Sequence, residues 1–233
     1  MHKDLMRGIK GAVPVMLGYL PIGFAFGVLA VQQGLGVLDI LFMSLFVYAG
    51  SAQFIAANLI ASGAGAVSIV FTTFLVNLRH LLMSASLSPH VKKFSSPLLA
   101  LISFGITDES YAVSITQVQK EEVSPWYFAG LHGASHSAWI LSTVLGGLLG
   151  GLIPDPGRWG VDFALSAMFI GLLIMQLDDR KDLLVSLCSG LFSIIIALNF
   201  EGGWNIILAS LLAATIGVGV EQWTKKSSLS LSE

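Results

Sequence analysis

Three charged side chains stand where charge is costly. Arg79, Asp108 and Glu109 lie well inside long apolar runs, and an unpaired ion in hydrocarbon costs about 3 kcal/mol or more. Arg79 sits about nine residues before the polar connection Ser88–Pro97 and Asp108 about ten after it, so on two antiparallel helices their depths match. An Arg79–Asp108 ion pair would make both charges tolerable. Asp108 and Glu109 point about 100° apart on a helix, so one carboxyl faces the arginine and the other is free to carry a proton. Asn77, His80, Thr107 and Ser110 crowd the same depth. A simple latch between two helices accounts for the ion pair, whereas the surplus of polar groups points to a path for a polar solute.

Two further groups belong to this inventory. His132 and His136 are four residues apart and share one helical face. With no third ligand at matching spacing they do not read as a metal site; they form a polar face inside a bundle or handle protons near neutrality. Ser51 and Gln53 flank small residues in the run Tyr48–Phe54. A helix unwound there exposes amides and carbonyls able to hold the charged ends of a zwitterion, and the alternative is a close helix-packing surface. The single cysteine, Cys188, supports neither a disulfide nor a thiolate metal centre. No GxxxxGK[ST] phosphate loop and no GxSxG elbow occurs. The expectation is therefore no cofactor and no enzyme, with a polar-solute channel or an intramembrane hydrolase as the rival classes.

The elements that must position these groups follow from composition. Of 233 residues, 55% are hydrophobic and 11% charged, against about a quarter charged in an ordinary soluble domain; mean hydropathy is +0.81. Spans need about 20 apolar residues each, so the chain has room for eight or nine and no separate domain. The fold class expected is all-α, one polytopic helical membrane domain over residues 1–233, with tails at 1–10 and 222–233. A net charge of −2 without a basic run excludes nucleic acid as a partner. Apolar runs place spans near 11–31, 40–60, 66–87, 98–118, 126–150, 163–177, 183–200 and 204–220. Pro14 and Pro21 predict a kinked or interrupted first helix. Leu38-Asp39 and Val161-Asp162 each lead into an apolar run, a faint trace of duplication or a product of biased composition. The aromatics, Tyr48 among them, read as interfacial, with Trp139 alone inside a span.

Loop charges test the topology. With eight spans and a cytoplasmic amino terminus, the inner side holds Lys3, Arg7, Lys10, Lys120, Arg180, Lys181, Lys225 and Lys226, and the outer side Lys92, Lys93 and Arg158. A re-entrant segment 40–60 would flip every later loop and even out the count. Eight spans with both termini cytoplasmic is the expectation, seven plus a re-entrant segment the alternative, and Lys92-Lys93 outside is its weak point.

Four motifs in order, Pro14–Gly23 (PVMLGYLPIG), Tyr48–Phe54 (YAGSAQF), Asn77–Ser84 (NLRHLLMS) and Thr107–Tyr111 (TDESY), resemble the AzlC-type branched-chain amino acid permeases. The resemblance runs from about Leu5 to at least Gln176. It implies export of valine, leucine, isoleucine or related amino acids across the bacterial inner membrane. It also implies a small hydrophobic AzlD-type subunit as partner. Secondary transport, with the proton gradient as the coupling source, fits a chain without an ATP-binding motif. Arg79, or a helix amino terminus near Gly50, would receive the substrate carboxylate; Asp108 or Glu109 would receive the ammonium or the coupled proton.

Overall fold

The computed structural model describes residues 2–154 and 156–160, the helix 180–199, and scattered positions within 163–177 and 212–219. The chain divides into two compact units, Met1–Met168 and Phe169–Glu233. The first contains α1 (His2–Gln32), α2 (Val37–Phe46), α3 (Gly50–Ala61), α4 (Ala66–Val91), α5 (Ser96–Phe104), α6 (Asp108–Lys120) and α7 (Pro125–Gly150), then a 3-10 turn at Pro156–Trp159. The second contains α8 (Arg180–Asn199), within the expected span 183–200. Most of the expected spans 163–177 and 204–220, the proposed duplicate at Val161-Asp162 and the tail 222–233 lie outside the described residues. No strand occurs among the described residues, and the all-α class holds.

α1 and α7 form the axis of the first unit and run parallel. At one end Gly8 lies against the backbone of Tyr127 and Leu131; further on Gly27 lies against Thr143 and Gly147, and Gly150 against Val28. Glycines let two backbones approach this closely, the small-residue packing common inside membranes. A Cβ on Gly8, Gly27, Gly130 or Gly146 would collide with backbone atoms of the facing helix. Of the kink or interruption expected at Pro14 and Pro21, the interruption does not occur: α1 is helical throughout.

The two expected spans 40–60 and 98–118 are each split. α2 and α3 part at Val47–Ala49; α5 and α6 part at Gly105–Thr107. Side-chain bonds fix where the ends lie. Gln33, just beyond α1, donates to Asn58 near the end of α3, so α2 leaves from and α3 returns to the carboxyl end of α1. α4, about 39 Å long at 1.5 Å per residue, carries the chain to the opposite end. There Lys93 Nζ meets Glu122 at 2.7 Å, the neighbouring Glu121 pairs with Arg7, and Ser124 Oγ donates to Asp4 at 2.6 Å. α5 and α6 therefore start and finish at the amino-terminal end of α1. Both split segments are hairpins that turn back halfway, and neither crosses. At segment 40–60 this is the re-entrant alternative; at 98–118 it departs from the expected span, and it brings Lys92-Lys93 to the same end as the amino terminus. The segments mislead because two half-helices carry as many apolar residues as one spanning helix.

An order emerges that no residue pattern announced. Gln32, Val37 and Ala61, which bound the first hairpin, have counterparts 59 residues later in Val91, Ser96 and Lys120. The second set runs in the opposite direction. The unit is thus built from two inverted copies of a long helix followed by a hairpin, the plan of many secondary transporters, with α7 returning beside α1. α1 and α4 are long and apolar enough to cross a membrane. Val67, Phe71, Phe74, Leu81 and Leu82 of α4 are exposed, as apolar residues that face lipid would be.

Candidate functional site

The two hairpin breaks meet midway along α1 and α7. Tyr19 of α1 bonds Thr107 (Oη–Oγ1 2.5 Å) and donates to Glu109 at 2.9 Å. Its ring stands edge-on to Tyr48 at 6.4 Å and to Trp139 at 5.0 Å. One side chain thereby touches both breaks.

The second break owes its form to its sequence. Thr107 caps α6 and Ser110 reciprocates, its Oγ accepting from Thr107 N at 2.8 Å. Asp108 and Glu109 fill the first turn, where carboxylates face the positive end of the helix dipole. They were expected mid-helix and instead begin one. The signal was present, since a hydroxyl residue followed by two acids and a serine marks a helix start, but the unbroken apolar run around it read as one span. At the first break, Ala49 offers no side-chain cap to α3. The amides of Gly50 and Ser51 open the helix unneutralised, an anion-binding geometry. Tyr48 has φ 31°, a left-handed conformation that costs a non-glycine residue about 1–2 kcal/mol.

Arg79 lies between these two helix starts. Its Nη1 pairs with Asp108 Oδ2 at 2.8 Å, with 28% and 18% of the two side chains exposed; its Nη2 donates to Ser51, and its Nε is buried without a partner. Glu109 is held by Tyr19 alone among the bonds of its carboxylate described here. Arg79, Asp108, Glu109, Ser51, His80 and Thr107, with Tyr19, Tyr48 and Trp139, line one small cavity. Its free volume is about 20 Å³, room for about one water molecule. The site as it stands is closed around its own polar groups.

The remaining predicted site residues sit elsewhere. Gln53 is fully buried behind the cavity, accepting from Trp139 Nε1 at 2.8 Å and donating to Ser44 Oγ at 3.1 Å; it supports the wall rather than lining it. Asn77 does not line the cavity: its carbonyl lies 3.1 Å from His80 Nδ1, and its Oδ1 is buried without a partner. His132 and His136 lie away from the charged cluster. His136 Nε2 bonds Ser44 O at 2.9 Å and its ring lies 4.1 Å from that of Tyr48. His132 packs against Gly105. Among the described residues no group of three or more His, Cys, Asp or Glu is placed to hold a metal. Tyr19 and Tyr48 line the cavity and were not among the site residues expected from the sequence; the place of Tyr19 at the middle of α1 and of Tyr48 at a hairpin tip has no signal in local composition.

Exposed apolar helices, a charge pair at mid-depth and two helix breaks meeting there are the features of a helical integral membrane protein. The sequence comparisons carry this further. The AzlC protein family model matches residues 14–153, which include α2–α7 and the whole cavity, and the chain belongs to that family. It is 31% identical over 189 residues to the inner membrane protein YgaZ of Escherichia coli, covering 78% of this chain and 76% of the relative. It is 29% identical over 203 residues to the branched-chain amino acid transport protein AzlC of Bacillus subtilis, covering 86% and 78%. An uncharacterized membrane protein of Helicobacter pylori is 36% identical over 183 residues, covering 76% and 78%. No solved structure matches the chain.

Proposed function

We propose that this chain is the large subunit of a secondary exporter of branched-chain amino acids in the bacterial inner membrane, driven by protons and completed by a small AzlD-type subunit. The observation that carries the reading is the Arg79–Asp108 pair beside Glu109, facing the uncapped start of α3 inside one cavity. The substrate class follows the name of the Bacillus relative. A zwitterion needs a cation and amide donors for its carboxylate, and Arg79 with the amides of Gly50 and Ser51 would supply them. Its ammonium needs a carboxylate, and Glu109 is the one not committed to Arg79. The same carboxyl, bridged to Thr107 through Tyr19, would carry the coupled proton when the substrate is absent. His80 is a polar neighbour of the pair, while Asn77, Gln53, His132 and His136 are assigned to supporting or gating positions.

Orientation follows from charge. Lys3, Arg7, Lys10, Lys92, Lys93 and Lys120 gather at the amino-terminal end of the first unit, against Arg158 at the other, so that end faces the cytoplasm. An alternating mechanism would open the α5–α6 hairpin toward the cytoplasm and the α2–α3 hairpin outward. The test is counterflow in proteoliposomes of the full chain, alone and with its suspected partner. Saturable uptake of labelled valine, leucine or isoleucine that requires the partner and responds to an imposed proton gradient is expected. Its absence with every pairing, from vesicles of folded protein, would refute the assignment.

A further inference from the structure

The charged groups of the cavity share it with an apolar wall, and the largest side chain in that wall is Trp139 of α7. It lines the cavity with Ile22 and Ala49 and is 2% exposed. Its benzo edge rests on Gly50, the first residue of α3: a Cβ there would lie 2.9 Å from Cη2 and 3.2 Å from Cζ2. Its one polar atom points elsewhere, Nε1 donating at 2.8 Å to Gln53 Oε1, and Gln53 does not line the cavity. What the indole turns to the cavity is therefore carbon.

Gln53 is itself held from behind. Its Nε2 donates to Ser44 Oγ at 3.1 Å, and Ser44 shares a 2.8 Å hydrogen bond with Thr143 Oγ1. All three side chains are fully buried. Burying an amide is costly unless its groups are bonded, and a leucine would fill the same space without that cost. What the amide adds is direction. An indole N–H can only donate, and the χ2 torsion of tryptophan has two broad wells. The well that brings Nε1 to Gln53 is the one that lays the benzo edge on Gly50. Tyr19, edge-on at 5.0 Å, and Phe26, stacked at 6.5 Å, close in the ring.

We propose that Trp139 sets the size of side chain that the cavity accepts, admitting aliphatic amino acids and excluding aromatic ones, and that Gln53 is the residue that positions it. The proposal rests on the reading of the chain as an amino acid transporter with the substrate carboxylate at the start of α3. A carboxylate held by the amides of Gly50 and Ser51 leaves the substrate Cα one bond away. The side chain then emerges beside the indole edge that lies on Gly50. The cavity, about 20 Å³, must widen to take any amino acid, and the hairpins supply that motion. Trp139 stands on α7 rather than on a hairpin, so it remains as the wall against which the side chain is measured. Gln53 belongs to α3 and holds the indole for as long as that hairpin is shut, the state in which the α5–α6 hairpin opens to the cytoplasm.

Counterflow in proteoliposomes with the partner present tests this through one ratio, kcat/KM for leucine over kcat/KM for phenylalanine. In wild type the ratio is expected to be about ten or more. Trp139→Leu should lower it about tenfold, and Trp139→Phe by less, since a phenyl ring keeps part of the wall. Gln53→Leu leaves the indole N–H without its acceptor and should lower the ratio too, although Gln53 touches no substrate. A purely structural role for either residue would slow both substrates alike and leave the ratio where it was. A wild-type ratio in folded Trp139→Leu overturns the proposal, and a wild-type ratio in folded Gln53→Leu overturns the positioning role. Should the variants fail to fold, competition against labelled leucine in wild type decides. Phenylalanine that competes about tenfold more weakly than unlabelled leucine supports the proposal, and equal competition overturns it. Absence of wild-type leucine counterflow with every pairing refutes the transport reading, and the proposal with it.

Discussion

Remove the charge from Asp108 and the Arg79 guanidinium is left half-buried without its counter-ion. At 2.8 Å and an effective dielectric of ~20, the gross attraction is about 6 kcal/mol. Desolvation of both ions takes back much of this. The side chains keep 28% and 18% of their exposure, so water reaches them and the cost falls at the low end of the buried range. Asp108→Asn should therefore destabilise by about 3 kcal/mol, and Arg79→Gln by a similar amount. Removing both partners together leaves no unpaired ion, so the double variant should lose less than the sum of the singles by about 2 kcal/mol. Equilibrium unfolding in mixed detergent micelles measures all three. Additive losses would refute the ion pair as a coupled unit. Counterflow on the same proteins separates latch from site: a double variant that regains stability and also regains transport would refute the role proposed for the pair in binding.

Other perturbations test neighbouring parts. Tyr19→Phe removes the bonds to Glu109 and Thr107; a loss of about 1–3 kcal/mol in stability is expected, with a shifted pH profile of transport if Glu109 carries the proton. Gly50→Ala would bring a methyl within 2.9 Å of the Trp139 ring, and overpacking of this kind costs about 1–3 kcal/mol, readable as a lowered unfolding midpoint. Lys93→Cys with Glu122→Cys should be joined by a short bifunctional maleimide, since the two side chains meet at 2.7 Å; if segment 98–118 crossed the membrane they would lie on opposite faces and no cross-link would form. Lys93 holds the exposed Glu122 carboxyl below its usual range through a hydrogen bond and charge attraction. The contact is present at neutral pH and lost as the pH falls through that lowered value, below 4.5, and carboxyl NMR titration of wild type against Lys93→Gln should show it.

Depth was legible in the sequence and connectivity was not. Arg79 and Asp108 could be matched by counting residues from a shared loop, because helical rise is constant, and the pair forms as counted. The helix start at Thr107 was also legible in its capping residues, but a run of about 20 apolar positions suits two half-helices as well as one span. Only long-range bonds such as Lys93–Glu122 and Gln33–Asn58 tell these apart. The 59-residue repeat was hidden for a different reason. The outer boundaries recur, yet α3 opens on Gly50-Ser51 and α6 on Asp108-Glu109, so the two helix starts share no residue pattern and differ in charge. Tyr48 carries no local signal at all: its ring contacts lie on three other elements, at Tyr19, Phe104 and His136.

The glycine seam between α1 and α7 bears on mechanics. Where Gly27 meets Thr143 and Gly146 meets Phe24, backbone rests on backbone, and there are no rotamers to readjust if one helix slides along the other. The two helices act as a single stiff strut. The hairpins rest on that strut through side chains, Ile40 on Gly147, Trp139 on Gly50 and His132 on Gly105, and side chains can swing. The strut is thus the part of this unit least able to slide, and the hairpins, seated on it through side chains, are the parts that can turn against it.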